Sequence, residues 1–178
     1  MSDQLDWTIK CDDIPPAGLT RVFKADDAER TAVAAALELV ACDAFDATLR
    51  FHPLADGSYS VSGQIRARVV QTCVVTLEPV PADVRAAVAV EFRRGHDMPD
   101  MPEGEFDPHS ADEPEPIVRG MMDVGAVAYQ ILATSLDPYP RRTGVAFDWR
   151  DPNAVPATDT GANPENPFAV LAKLKPKG

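Results

Sequence analysis

Alternation with a period of two dominates the middle of the chain. Val61, Gly63, Ile65, Ala67 and Val69 share one parity, and Ser62, Gln64, Arg66 and Arg68 share the other. The pattern resumes in Val84, Ala86, Val88, Val90 and Phe92, set against Arg85, Glu91 and Arg93. An earlier run sets Phe45, Ala47, Leu49 and Phe51 against Asp46, Thr48 and Arg50. Successive side chains of a strand point to opposite faces, so each run predicts a half-buried β-strand. The spacing gives three strands, 45–52, 59–72 and 83–94, in an antiparallel meander. Asp56-Gly57 supplies one hairpin turn, and a tight reversal at Leu77-Glu78-Pro79-Val80 supplies the other.

Two segments follow a helical period instead. Asp26 and Glu29 form a capping-box pattern before the alanine-rich run Ala28 to Val40, in which Val33, Leu37 and Val40 make one apolar stripe. Asp123 precedes Val124, Val127, Ala128, Ile131 and Leu132, which fall on one helical face, and Asp137-Pro138 ends that element. Leu5 to Ile9 reads as a short strand closed by Ile14-Pro15-Pro16. The fold class is α+β: a small antiparallel β-meander packed by two helices on its apolar face, with a long acidic loop and a poorly ordered C-terminal tail. Residues 1–147 read as a single domain. Residues 148–178 read as a proline-rich linker and a short basic segment carrying Phe168, Leu171 and Leu174 with Lys173, Lys175 and Lys177.

Charge sharpens the picture because it is unevenly spread. The net charge of −11 opposes indiscriminate attraction to nucleic acid or anionic membrane. Yet the polar face of the meander gathers Arg50, Arg66, Arg68, Arg85 and Arg93 against only Asp46 and Glu91. Two readings of that face stand: a solvated sheet surface, or a contact face for an anion or RNA. The loop 95–116 holds Asp97, Asp100, Glu103, Glu105, Asp107, Asp112, Glu113 and Glu115 and no Lys or Arg. So few apolar groups cannot offset the entropy of ordering, so the loop is expected to be mobile, with a charge that suits a basic protein partner. Its acids lack the spacing of a calcium loop, and His96 and His109 have no paired ligand motif, so no metal or cofactor is expected.

Three widely spaced cysteines, Cys11, Cys42 and Cys73, suit reduced thiols. The apolar neighbours of Cys73 predict a buried thiol with a raised pKa and little reactivity. No secretory signal and no apolar run of membrane-spanning length appears, so the expectation is a soluble, cytoplasmic protein without a membrane partner. The sequence shows no catalytic triad motif, no dinucleotide or phosphate loop and no zinc-protease motif. Neither catalysis nor a small-molecule substrate is expected.

Several blocks together resemble a known family. Ala28-Glu29-Arg30 opens a helix, and strands lead to Gln71-Thr72-Cys73-Val74-Val75-Thr76-Leu77-Glu78-Pro79-Val80. An acidic loop with Asp112-Glu113-Pro114-Glu115 follows, then Asp123 opens a helix ending in Leu136-Asp137-Pro138-Tyr139-Pro140-Arg141. This order looks like the YceD family in its alphaproteobacterial form, and the motif residues it carries over are Cys73, Leu77, Glu78, Pro79, Asp123, Asp137, Pro138, Tyr139 and Pro140. The resemblance implies a non-enzymatic factor for accumulation of 23S ribosomal RNA and large-subunit biogenesis. The implied partner is a large-subunit ribosomal protein, ribosomal RNA, or both. Many members carry Cys-x-x-Cys where this chain has Cys73-Val74-Val75-Thr76, and a second cysteine cluster where it has Pro140-Arg141-Arg142-Thr143-Gly144; with Cys73 alone, a structural zinc is not implied here. The alternative reading is an acidic protein-interaction module unrelated to RNA.

Overall fold

The alternating runs form the centre of a five-stranded sheet. The structure is a computed structural model that describes residues 4–94 and 114–146. The chain divides into two units, Met1–Val145 and Ala146–Gly178, and the architecture here is that of the first. In chain order the elements are β1 (Thr8–Lys10), a 3-10 turn (Cys11–Asp13), β2 (Leu19–Lys24), α1 (Asp27–Ala36), β3 (Ala41–Pro53), β4 (Tyr59–Thr72), β5 (Pro79–Arg94), β6 (Glu115–Ile117), β7 (Met121–Asp123) and α2 (Val124–Ser135). The large sheet has the order β2-β3-β4-β5-β6, and β1 pairs with β7 in a separate ribbon. The α+β class stands. The three-stranded meander is the inner part of a wider sheet, whose last strand runs parallel to β5.

One face of the sheet carries the core. Phe45, Ala47, Leu49 and Phe51 of β3 are buried beside Val61, Ile65 and Val69 of β4 and Val84, Val88 and Phe92 of β5. Helix α1 packs on β3 through the fully buried Val33, while α2 lies on β4, β5 and β1 with Val124, Val127, Ala128 and Leu132 inward. Trp7 closes one end of the core, its ring centroid 5.6 Å from that of Phe23 and 5.2 Å from that of Phe45. Gly125 allows the start of α2 to press on the N-terminal segment, since a Cβ there would lie 2.8 Å from the Leu5 carbonyl oxygen.

Strand β1 spans Thr8–Lys10 where the sequence reading has Leu5 to Ile9, and β3 begins at Ala41 where it has 45. Three further boundaries differ for local reasons. The capping box is present: the Glu29 N–H donates to Asp26 Oδ1 at 2.8 Å, and the Asp26 N–H donates to Glu29 Oε2 at 2.9 Å. The helix nevertheless ends at Ala36, not Val40. Glu38 turns left-handed at φ 53°, the Leu39 N–H donates to the Ala34 carbonyl at 2.9 Å, and the Glu38 N–H reaches that of Ala35 at 3.4 Å. That is a Schellman closure with glutamate in glycine's usual place. Val40, expected on the apolar stripe, is 55% exposed.

The reversal between β4 and β5 is also displaced. Thr72 pairs with Pro79, so the connection is Cys73 to Glu78, with Leu77 left-handed at φ 60°. Proline opens the strand, where its missing N–H leaves the ladder intact. Finally, Glu115 and Pro116 belong to β6, opposite Phe92 and Arg93, and not to the preceding loop.

Candidate nucleic-acid interface

Register decides which polar residues of the outer face meet. Arg66 of β4 stands opposite Arg85 of β5, and Asp46 of β3 flanks Arg66 from the other side. The same row continues to Lys24 of β2, a cation the sequence reading missed because it did not recognise that strand. Arg50 lies two rungs along, beside Thr20 and Ser62, and the rung between holds Thr48, Gln64 and Ala87. Arg50, Arg66, Arg68 and Arg85 are all exposed.

The five predicted arginines are not equivalent. Arg93 is half-buried, and its Nε donates to Glu91 Oε1 at 2.6 Å, so its charge is largely spent within the fold. Arg68 Nε lies 3.9 Å from Asp83 Oδ1, a loose and solvated pair. Among the described residues no carboxylate comes within ion-pairing distance of Arg50, Arg66 or Arg85. Arg50 and Arg85 border an open groove of about 610 Å³ whose walls include Thr20, Thr48, Ser62 and Gln64. Gly63, Ala86 and Ala87 complete its lining. A neighbouring hollow of about 160 Å³, lined by Asp46, Arg66, Arg68 and Asp83, shares Arg85 with it. Together they form a strip in which Arg50, Arg66, Arg68 and Arg85 outnumber Asp46 and Asp83, on a net-anionic chain, and its guanidinium groups suit phosphate oxygens as acceptors.

Of the acidic residues, Asp97, Asp100, Glu103, Glu105, Asp107, Asp112 and Glu113 lie outside the described residues. Glu115 sits at the start of β6, half-buried.

The motif residues assemble at another place, the end of the β4–β5 hairpin. The Gln71 amide Nε2 donates to the Asp137 carbonyl at 2.9 Å, and the Val74 N–H donates to the Pro140 carbonyl at 2.9 Å. Arg142 Nη1 meets Glu78 Oε2 at 2.6 Å, holding the Glu78 carboxyl below its usual range. Asp137 shapes its own turn by accepting from the Tyr139 N–H at 2.9 Å, and Asp123 caps α2 by accepting from the Ala126 N–H at 2.9 Å. Pro140 is buried, whereas Leu77 and Tyr139 are 76% and 68% exposed. Pro79 and Pro138 are exposed. The two sequence blocks are therefore one structural unit that ties the chain after α2 to the sheet.

Cys73 lies at the centre of that unit. It is fully buried as expected, but its thiol is not raised. Hydrogen bonding by the Thr76 side chain, then by the N–H groups of Arg142 and Thr76, lowers it from the usual 9.0 to about 6, and burial opposes this only weakly. Its Sγ accepts from the Thr76 N–H at 3.4 Å and from the Arg142 N–H at 3.5 Å. Apolar neighbours in sequence misled because polar donors, the Thr76 side chain and the N–H groups of Arg142 and Thr76, meet the sulfur. The donors point positive ends at it, which suits a thiolate anion. Among the described residues no cluster of three or more His, Cys, Asp or Glu could hold a metal ion, so a zinc site of four thiolates does not fit here.

A group whose pKa is lowered by folding stabilises fully above its unfolded value and loses that contribution as pH falls through its folded value. The thiolate therefore helps most above pH 9 and little below about pH 6. The melting-temperature difference between the parent and Cys73→Ala should widen as pH rises from about 6 to 9. A constant difference would mean that the sulfur acts by packing alone.

The family model described as "Large ribosomal RNA subunit accumulation protein YceD" matches residues 61–175. No curated protein and no solved structure matches the chain.

Proposed function

The chain belongs to the YceD family of large ribosomal RNA subunit accumulation proteins, and from that premise we propose that it acts without catalysis, by binding ribosomal RNA on the outer face of its sheet. One observation carries the reading: Arg50, Arg66 and Arg85 are exposed on one face, and among the described residues no carboxylate forms an ion pair with them, although Asp46 stands across the strand pair from Arg66. On an otherwise anionic chain this localises attraction to one patch, so the protein engages RNA in one orientation. Binding would shield large-subunit RNA while it folds and acquires its proteins. The setting is the cytoplasm, and among the described residues no helix is long and apolar enough to cross a membrane.

Two measurements test this. In a deletion strain, sucrose gradients should show fewer large subunits relative to small ones and accumulated precursor RNA. The purified protein should bind large-subunit RNA with an affinity that falls steeply with salt, because each phosphate contact releases counterions. Absence of RNA binding at low salt removes the proposal.

A second reading has its own support in sequence. The carboxylates from Asp97 to Glu113, uninterrupted by Lys or Arg, suit a lysine-rich ribosomal protein. Recovery of ribosomal proteins on the immobilised chain after nuclease treatment would favour that route.

A further inference from the structure

We propose that the outer face takes double-helical RNA, with a minor groove laid across β3, β4 and β5, in preference to single strands. This deepens the ribosomal-RNA reading above and rests on it.

The first support is what the face offers to bases. Proteins that hold single-stranded nucleic acid stack bases on aromatic rings beside a cationic track. Here the described outer positions of the central strands are chiefly Arg, Asp, Glu, Thr, Gln, Ser and Ala, with Val70 and Pro81 towards one end, and the one aromatic ring, His52, stands at the margin beside Ser60. Bases splayed onto this surface would find hydrogen-bonding groups and methyls, but no platform.

The second support is spacing. On this face the described cations without an ion pair fall in two rows: Lys24, Arg66 and Arg85 share one rung with Asp46, and Arg50 stands two rungs away. Arg68, on the far side of the first row, faces Asp83. Four residues of strand separate the two rows, about 13 Å at roughly 3.3 Å per residue. Between and beside them lie the uncharged groups of Thr48, Gln64, Ser62 and Thr20, lining the hollow floored by Gly63 and Ala87. A-form RNA presents a wide, shallow minor groove with 2′-hydroxyls on its floor and a phosphate strand on either side. Guanidinium groups at the two rows meet the phosphates, while the amide of Gln64 and the hydroxyls of Thr48 and Ser62 face the 2′-hydroxyls. Recognition of this kind reads helix shape and sugar, not base sequence.

Fluorescence anisotropy with the full chain tests this, using an RNA duplex of about 16 base pairs, each strand alone, and a DNA duplex of the same sequence. Duplex RNA should bind about tenfold more tightly than either strand or the DNA. The double variant Ser62→Ala/Gln64→Ala should lose most of the preference for RNA over DNA while keeping the salt slope, because no charge is removed. Arg50→Ala should lower that slope by about one. Circular dichroism melts identify any variant that has lost its fold. Single strands that bind as tightly as the duplex overturn this inference and leave the ribosomal-RNA reading intact. No binding to any of the RNAs at low salt overturns both.

Discussion

Replacing Gly63 with alanine is expected to destabilise the protein by roughly 3 kcal/mol, the combined scale of backbone strain and overpacking. The residue sits in the middle of β4, between Leu49 of β3 and Val88 of β5. Its φ is 156°, and a Cβ built on it would lie 2.0 Å from the Thr48 carbonyl oxygen and 3.1 Å from the Leu49 Cα. Those atoms are backbone, so no side chain can swing aside. The strands must separate at the centre of the sheet, beneath the groove. Gly57 is the matched control: it has φ 84° but nothing within 4 Å of a Cβ, so its alanine variant should show only the left-handed penalty of about 1 kcal/mol. Urea unfolding of the two variants decides the matter. A Gly63→Ala midpoint near that of the parent would mean that β3 and β4 are not so closely spaced.

Arg85→Glu is expected to weaken RNA binding by an order of magnitude or more while leaving stability unchanged or slightly raised, by about 0.5 kcal/mol. The two effects have opposite signs because of register. Arg85 faces Arg66 directly, and like charges opposed across a strand pair destabilise it. A glutamate there would face Arg66 with opposite charge, so the fold gains where the proposed interface loses. Thermal melts and salt-dependent RNA binding on one preparation separate the two. A variant that bound RNA as tightly as the parent would move the interface off this face. One that lost binding through unfolding would show a lowered melting temperature, contrary to expectation.

What the sequence disclosed was the part governed by local period. Strand β4 occupies 59–72 in both readings, because Val61, Ile65 and Val69 must face inward and Ser62, Gln64 and Arg66 outward. Helix α2 starts after Asp123 for an equally local reason, a side-chain acceptor aimed at the Ala126 N–H. Strand β2 was hidden because Arg21 occupies an inward-parity position, its guanidinium carbon 5.1 Å from the Phe23 ring centroid, while Val22 faces outward. The true end of α1 was hidden because Glu38, not glycine, adopts the left-handed turn.

The candidate site divides along the same line. Shared parity put the arginines on one face, but which of them meet depends on register across hairpins. Arg93 turned out to be tied to Glu91, and Lys24 joined the row only through β2. Nothing local could bring Cys73 to Arg142, 69 positions apart, or show that the Arg142 N–H would donate to the sulfur.

The matched span begins at Val61, the third residue of β4, and so omits β3, which pairs with β4 along nearly its whole length. A fragment trimmed to those limits would leave the inward row of Val61, Ile65 and Val69 without its covering aromatics from β3 and Trp7. It would also turn an interior ladder of N–H and C=O groups into a bare rim, the kind of template on which chains stack into aggregates. The span that is diagnostic for kinship is thus shorter than the span that can fold, and insolubility of such a fragment would report missing neighbours, not missing chemistry.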